Sequence, residues 1–290
     1  MAPQNWLITG CSSGFGAEFV HQLRALGDNV IATGRHAETK LAHLKDTGAS
    51  IIDLDVTAPE DVIATKIEEA WGIYPGGIDV VVNNAGYILS GAFEEITQKD
   101  LEDVFKTNFH GPLNITRAIL PKLRAKGTGT LLFMGSQAGW QYVLLAADPS
   151  ATGYCSTKFA LEGAVECLAK ELAIFAPGLK VLLVEPGYFR TRAFSNINHV
   201  EPRVEIYSQF NAGVQAVEQS IVGNEPGDSA KAVTRMIELT KGTGMAAGKT
   251  APLRVPLGTD GWTRIKEKCE ETLKICEEWE DVARSTDVQQ

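Results

Sequence analysis

Apolar residues in this chain fall into short unbroken runs, separated by longer stretches where they recur every three or four positions. The first run, Trp6-Leu7-Ile8, reads as a strand over Asn5–Thr9. Beyond it Phe15, Phe19, Leu23 and Leu26 follow helical spacing, and Gly27 closes the helix. Further strands are expected at Asn29–Thr33, Ser50–Leu54, Ile78–Val82, Thr130–Met134 and Lys180–Val184, with a last apolar segment at Leu253–Leu257. The intervening stretches read as helices. One runs from after Pro59 to before Gly72, a long one spans Lys99–Arg124, and others span Tyr154–Phe175 and Asp228–Thr240. Ala37–Lys45 is polar and helix-compatible, and a charged helix ends the chain. Unbroken apolar strands alternating with helices predict an α/β fold, a doubly wound parallel sheet covered on both faces. No linker divides the 290 residues, so a single domain over 1–290 is expected, with an irregular stretch at 188–227 and the C-terminal helix at 259–290.

Composition narrows the partners. Hydrophobic residues make up 44% of the chain, enough for a large core. A net charge of -9 argues against nucleic acid or an anionic membrane surface as the main partner. No apolar run reaches the length of a membrane span, and no basic segment followed by an apolar core opens the chain. Five cysteines without framework spacing read as free thiols in a reducing cytoplasm, and no histidine cluster accompanies them, so no metal site is expected.

Two patterns carry chemistry. Tyr154 and Lys158 stand four apart on a predicted helix, one turn apart on one face. A lysine ammonium there would favour the phenolate and bring a weak acid towards working pH, and an exposed pair on a solvated helix face is the simpler alternative for this spacing alone. The second pattern is Thr9-Gly10-Cys11-Ser12-Ser13-Gly14-Phe15-Gly16, between a strand and a helix. There a dinucleotide pyrophosphate can approach a helix N-terminus, and a tight turn without ligand is the simpler alternative. The second strand ends in Ala32-Thr33-Gly34-Arg35. A carboxylate at that place binds the ribose hydroxyls of NAD; a guanidinium can bind the 2′-phosphate of NADP. NADP is therefore expected, with Arg35 facing water or stacking on adenine as the alternative.

With Asp55-Val56, Asn83-Asn84-Ala85-Gly86, Asn108, Ser136 and Pro186-Gly187 leading to Thr191, seven motifs stand in register from Trp6 to about Asp260. In them the chain resembles the short-chain dehydrogenase/reductase family, in its single-domain branch. The resemblance implies an NADP(H)-dependent oxidoreductase interconverting a secondary alcohol and a ketone. Tyr154 would be the general acid/base, and Lys158 would lower its pKa and hold the nicotinamide ribose. Ser136 would bind the substrate oxygen, and Asn108 would anchor a water in the proton relay. For the cofactor it implies Gly10, Ser12, Ser13, Gly14, Phe15, Gly16, Arg35, Asp55, Val56, Asn83, Ala85, Gly86, Pro186, Gly187, Phe189 and Thr191, together with Tyr154 and Lys158. Asp55 also fits a turn-forming or capping role, since Thr57 and Pro59 follow. Alternatives on the same scaffold are imine or enone reduction, a cyclisation, or a non-catalytic cofactor-binding regulator.

Ser136 and Tyr154 stand farther apart than the family usually has them, through an apolar insertion, Trp140-Gln141-Tyr142-Val143-Leu144-Leu145, before Pro149. It is read either as a substrate wall or lid contact, or as a buried packing loop. By the resemblance, 188–227 corresponds to the family's variable substrate lid. It holds Phe189, Phe194, Ile197, Ile206, Tyr207 and Phe210, which favours a hydrophobic small-molecule substrate, with packing of these aromatics on the body of the protein as the alternative. Apolar residues pass nearly around the Tyr154–Phe175 helix. With the Lys99–Arg124 helix it predicts a homodimer or homotetramer. The alternative is that the insertion and the C-terminal helix cover this surface within one chain.

Overall fold

The computed structural model of the protein describes residues 2–141 and 150–288. Tyr142 to Pro149, and with them most of the insertion, lie outside the described residues. In chain order the strands are β1 (Asn5–Ile8), β2 (Asn29–Gly34), β3 (Ser50–Asp53), β4 (Val80–Asn83), β5 (Leu89–Ser90), β6 (Gly129–Met134), β7 (Leu179–Pro186), β8 (Asn198–His199) and β9 (Arg254–Leu257). The helices are α1 (Gly14–Ala25), α2 (Ala37–Lys40), α3 (Glu60–Trp71), α4 (Gln98–Phe105), α5 (Gly111–Lys126), α6 (Thr152–Phe175), α7 (Ser208–Ile221), α8 (Ser229–Lys241), α9 (Thr259–Glu278) and α10 (Glu280–Arg284).

Seven strands form one parallel sheet in the order β3-β2-β1-β4-β6-β7-β9. Because side chains alternate across a strand, each strand serves two cores. Trp6, Ile8, Val80, Val82 and Leu132 pack beneath α1 and α8, on Phe19, Leu23, Val233 and Met236. Leu7, Ile31, Val81, Leu131 and Phe133 face the other way, onto Ile63 and Ile67 of α3, Ile115 and Ile119 of α5, and Leu161 and Val165 of α6. This is the doubly wound, Rossmann-type sheet. The strand order reverses between β1 and β4, so the loops leaving their carboxyl ends part and open a crevice.

Three elements differ from the expectation. The long Lys99–Arg124 helix is interrupted: between α4 and α5, Lys106–His110 form a π-turn in which the Gly111 N–H reaches back to the Lys106 carbonyl. Asn108 sits in that turn, which explains a poor helix former there. The 188–227 segment contains α7, whose buried side chains are only Val214, Glu218 and Ile221, too few to mark a stripe. It also contributes β8, a two-residue strand parallel to β5. The Ala37–Lys45 stretch is a single turn, α2, followed by a 3₁₀ segment at Ala42–Thr47. No described helix is long and apolar enough to cross a membrane.

Candidate active site

The crevice is a cavity of about 1020 Å³ lined from both sides of the reversal. At one end lies the glycine turn. Gly10 has φ +71°, and a Cβ there would stand 2.8 Å from Cα of Ala85. At Gly16 it would meet the Gly10 carbonyl oxygen at 2.3 Å. No side chain larger than hydrogen fits either place. Thr9 and Asn84 hold the turn against the end of β4. The Thr9 hydroxyl accepts from the N–H groups of Asn84 and Ala85, both at 3.0 Å. The Asn84 amide donates to the carbonyls of Thr9 and Gly10 at 2.8 and 3.1 Å. Ser13, the residue before α1, makes no side-chain capping bond, and Ser12, Ser13, Gly14 and Phe15 line the cavity. A bare helix N-terminus with close-packed backbone suits a pyrophosphate.

Next to the turn, Arg35 is exposed on the cavity wall with His36 and Lys40. Asp55 lines it too, and its Oδ1 accepts from both the N–H and the hydroxyl of Thr57, each at 2.8 Å. The aspartate thus shapes its own turn while facing the cavity. Val56, Ala85, Gly86, Pro186, Gly187, Phe189 and Thr191 complete this wall. Phe189 meets Phe15 edge-on at 5.5 Å, which folds the start of the 188–227 segment onto the glycine turn.

Three candidate residues do not line the cavity. Gly16 is packed beneath it. Asn83 ends β4 with its side chain buried, and both amide atoms lack a hydrogen-bond partner among the described residues. It is Asn84 that does the holding expected of this motif. Asn108 is buried as well. Its Oδ1 accepts from the Tyr87 N–H at 3.0 Å, and its Nδ2 donates to the Tyr87 carbonyl at 2.9 Å and the Thr157 hydroxyl at 3.2 Å. It ties the loop after β4 to the helix bearing Lys158.

At the other end Ser136, Tyr154 and Lys158 converge on the cavity. Ser136 follows β6, and its Oγ accepts from the Ala138 N–H at 3.1 Å. The Ser136 hydroxyl beside Tyr154 favours the phenolate. Burial nevertheless wins, pushing the Tyr154 phenol up to about 12. Lys158 donates to the Met134 carbonyl at 2.6 Å, and its ammonium lies 5.7 Å from the centre of the Tyr154 ring. Burial lowers the Lys158 pKa to about 8, partly offset by the charge of Glu162. The lysine therefore stands engaged by a backbone carbonyl, and the direct relief on the phenol comes from Ser136 rather than Lys158.

Periodicity missed a polar group on the far wall of the cavity. Glu218 of α7 is buried, accepts from the Ser90 hydroxyl at 2.6 Å, and pairs at 2.6 Å with His199. Ser90, Ser150 and Glu218 line the cavity beside Ile88, Phe194 and Ile197. Ile206, Tyr207 and Phe210 do not line it: Ile206 is exposed, and Tyr207 donates to Glu94. Their elements are joined only in three dimensions, so no local spacing announces the Ser90–Glu218–His199 group. All five cysteines are free, and among the described residues no group of three or more His, Cys, Asp or Glu side chains could hold a metal ion.

A parallel sheet with a glycine turn at its reversal and a Tyr–Ser–Lys group at its carboxyl edge defines a nucleotide-dependent oxidoreductase class. The chain matches the family model for short chain dehydrogenase over residues 4–202, and it belongs to that family. It is 31% identical to "Oxidoreductase calM" of Penicillium decumbens, covering 95% of this chain and 90% of that protein. Among solved structures it resembles a short-chain dehydrogenase from Streptomyces avermitilis, with 35% identity, 99% of both chains covered and a TM-score of 0.84. An actinorhodin polyketide ketoreductase variant solved with NADPH shares 27% identity at a TM-score of 0.68, over 88% of this chain and 96% of that one. A Burkholderia phymatum member solved with NAD shares the fold, at 20% identity and a TM-score of 0.74, covering 99% and 98% of the two chains.

Proposed function

We propose that the protein is an NADP(H)-dependent reductase that interconverts a ketone and a secondary alcohol on a hydrophobic small molecule. The observation that carries this is the convergence of Ser136, Tyr154 and Lys158 in the same cavity as the glycine turn. Ser12 to Phe15 would hold the pyrophosphate, Arg35 the 2′-phosphate, Asp55 and Val56 the adenine side, and Pro186 to Thr191 the nicotinamide end. A nicotinamide bound there supplies the hydride. The Ser136 hydroxyl donates to the carbonyl oxygen as charge grows on it. Tyr154, protonated at neutral pH, gives its proton to the same oxygen. Lys158 orients the ribose edge and favours the phenolate left behind. Substrates that suit the far wall are apolar molecules with one polar group directed at Ser90 and Glu218.

The site is proposed to work in the cytoplasm in a homodimer or homotetramer. Phe159, Ile174 and Phe175 of α6 are exposed, as a covered helix face requires. Sedimentation at micromolar concentration is expected to give a species two or four times 31.3 kDa. For the activity, the decisive measurement is NADPH and NADH binding, followed by oxidation of the bound cofactor by a panel of hydrophobic ketones, aldehydes and imines. Tight NADPH binding with ketone turnover supports the reading. NADH binding as tight as NADPH would remove Arg35 as the phosphate anchor, and imine turnover alone would move the protein to that chemistry.

A further inference from the structure

Behind the active site, on the side away from the cavity, three carboxylates meet one guanidinium. Glu162 stands one helical turn beyond Lys158 on α6 and is buried. Glu185 of β7 is buried against it, each with one carboxyl oxygen, Oε1 of Glu162 and Oε2 of Glu185, lacking a partner among the described residues. Arg254 of β9 binds Glu162, lies 3.4 Å from Glu185, and reaches the half-exposed Glu166 at 3.0 Å. The Trp140 indole donates to Glu185 at 2.8 Å, and the Arg254 guanidinium stacks over the same ring at 5.0 Å.

Two buried carboxylates in contact repel unless a proton lies between them, and two unpartnered oxygens are what one shared proton would satisfy. Burial, then the negative charge of Glu185, raises the Glu162 carboxyl to about 8, against the opposing pull of Arg254 and Lys158. The charged groups recorded around Glu162 are thus Lys158 and Glu166 from its own helix, Glu185 from β7 and Arg254 from β9.

The loop carrying Ser136 rests directly on this pair. A Cβ on Gly135 would lie 2.6 Å from Oε1 of Glu162, and one on Gly139 would lie 2.7 Å from its Cγ. The residues flanking Ser136-Gln137-Ala138 are glycines at the two places where Glu162 leaves no room. The loop is pinned again at its end, through Trp140.

We propose that Glu162, sharing a proton with Glu185 and clamped by Arg254, is a positioning residue that sets the Gly135–Trp140 loop and thereby the Ser136 hydroxyl against Tyr154. Glu162 touches no reacting atom in this scheme. A neutral side chain of the same shape should serve in its place, and a truncated one should not. The effect on turnover rests on the reductase reading above; the effect on the loop does not.

The test compares E162A, E162Q and G139A in the full chain. NADPH affinity is read by fluorescence, kcat and KM with whichever ketone the wild type reduces, and Trp140 by the emission that W140F removes. E162A is expected to lower kcat by about tenfold to a hundredfold, the scale of a small misplacement, with NADPH affinity unchanged. E162Q should recover most of that loss and keep the Trp140 emission, which E162A should alter. G139A displaces the loop from the opposite side and should reproduce the loss of kcat even if E162A fails to fold. Melting temperature gives a substrate-free check. A carboxyl raised in the folded state stabilises fully below its ordinary value and loses that contribution as pH rises towards about 8. Wild type should therefore show this decline between pH 5 and 8, and E162Q should flatten it. If E162A keeps the wild-type kcat and Trp140 emission, or E162Q is as impaired as E162A, the proposal is wrong. If the wild type reduces no ketone, the reductase reading fails, and Trp140 emission with the melting profiles still decides this one.

Discussion

The two ends of the cavity are built from different materials. At the glycine turn the wall is backbone, packed so closely that a methyl group at Gly10 or Gly16 would collide with main-chain atoms. At the 188–227 segment the wall is held by side chains. Buried Glu95 accepts from the N–H groups of Arg203 and Val204 at 2.7 and 2.9 Å and from the Asn211 amide at 2.7 Å. Glu218 binds Ser90 and His199 from the other side. A backbone cradle recognises what every cofactor of its class has in common, and it admits almost no variation. Side-chain latches involve one residue each, so on the proposed function substrate preference would vary at that end.

Tyr154→Phe should separate chemistry from both walls. Turnover is expected to drop by about 10²–10⁴, the range of a general acid, while NADPH affinity stays the same. Near-normal ketone reduction by this variant would contradict the assignment of Tyr154. Gly10→Ala tests the backbone end. Its positive φ and the 2.8 Å contact with Ala85 should lower stability by about 1–3 kcal/mol and abolish tight cofactor binding, as seen by melting with and without NADPH. If G10A binds NADPH normally, that wall is more forgiving than its packing implies.

Cofactor choice should be adjustable because it lies at the edge of the cradle. Arg35→Ala combined with Gly34→Asp should weaken NADPH relative to NADH by about 1.5–3 kcal/mol, the scale of a hydrogen bond to a charged group. The Gly34 position has room, since a Cβ there would meet Leu41 at 3.5 Å. Proton transfer adds a pH signature. With the phenol at about 12, ketone reduction should be nearly flat through neutral pH. Alcohol oxidation, which needs the phenolate, should accelerate by up to about tenfold per pH unit between pH 7 and 10, as initial rates would show. The smallest effect is expected at the lid. Glu218→Gln removes a charge but keeps a partner for Ser90, and should change KM a few-fold across a substrate panel with NADPH affinity unaltered.

Legibility followed the same division. The strands, the helices between them and the parallel sheet were readable because their requirements are local: an apolar run and a period of 3.6; the order of the strands in the sheet is set by long-range pairing. The one-turn spacing of Tyr154 and Lys158 is local in the same sense, and both line the cavity. Of the two neighbouring amides, Asn83 is buried because β4 extends to it, and Asn84 is the one that lines the cavity, a difference that the sequence Asn83-Asn84 does not show. In α7 only Val214 and Ile221 among its apolar residues are buried, so its helical period carried little contrast. β5 and β8 are two residues each, too short for an alternation to register. The pairing of Glu162 with Glu185 and Arg254 depends on three elements far apart in sequence, so no local spacing announces it.

The π-turn at Lys106–His110 has the effect of a change of gear. One additional residue in a helical turn advances everything downstream by about 100°. Upstream, Val104 is in phase with Leu89 and Val200; downstream, Ile115, Ile119 and Leu123 are in phase with the sheet. A single-residue deletion within 106–110 would leave a helix of ordinary pitch and nearly the same length, yet its two halves could no longer both face their partners. Length variation that a surface loop would absorb is therefore forbidden here, and Asn108 marks the tooth on which the two phases engage.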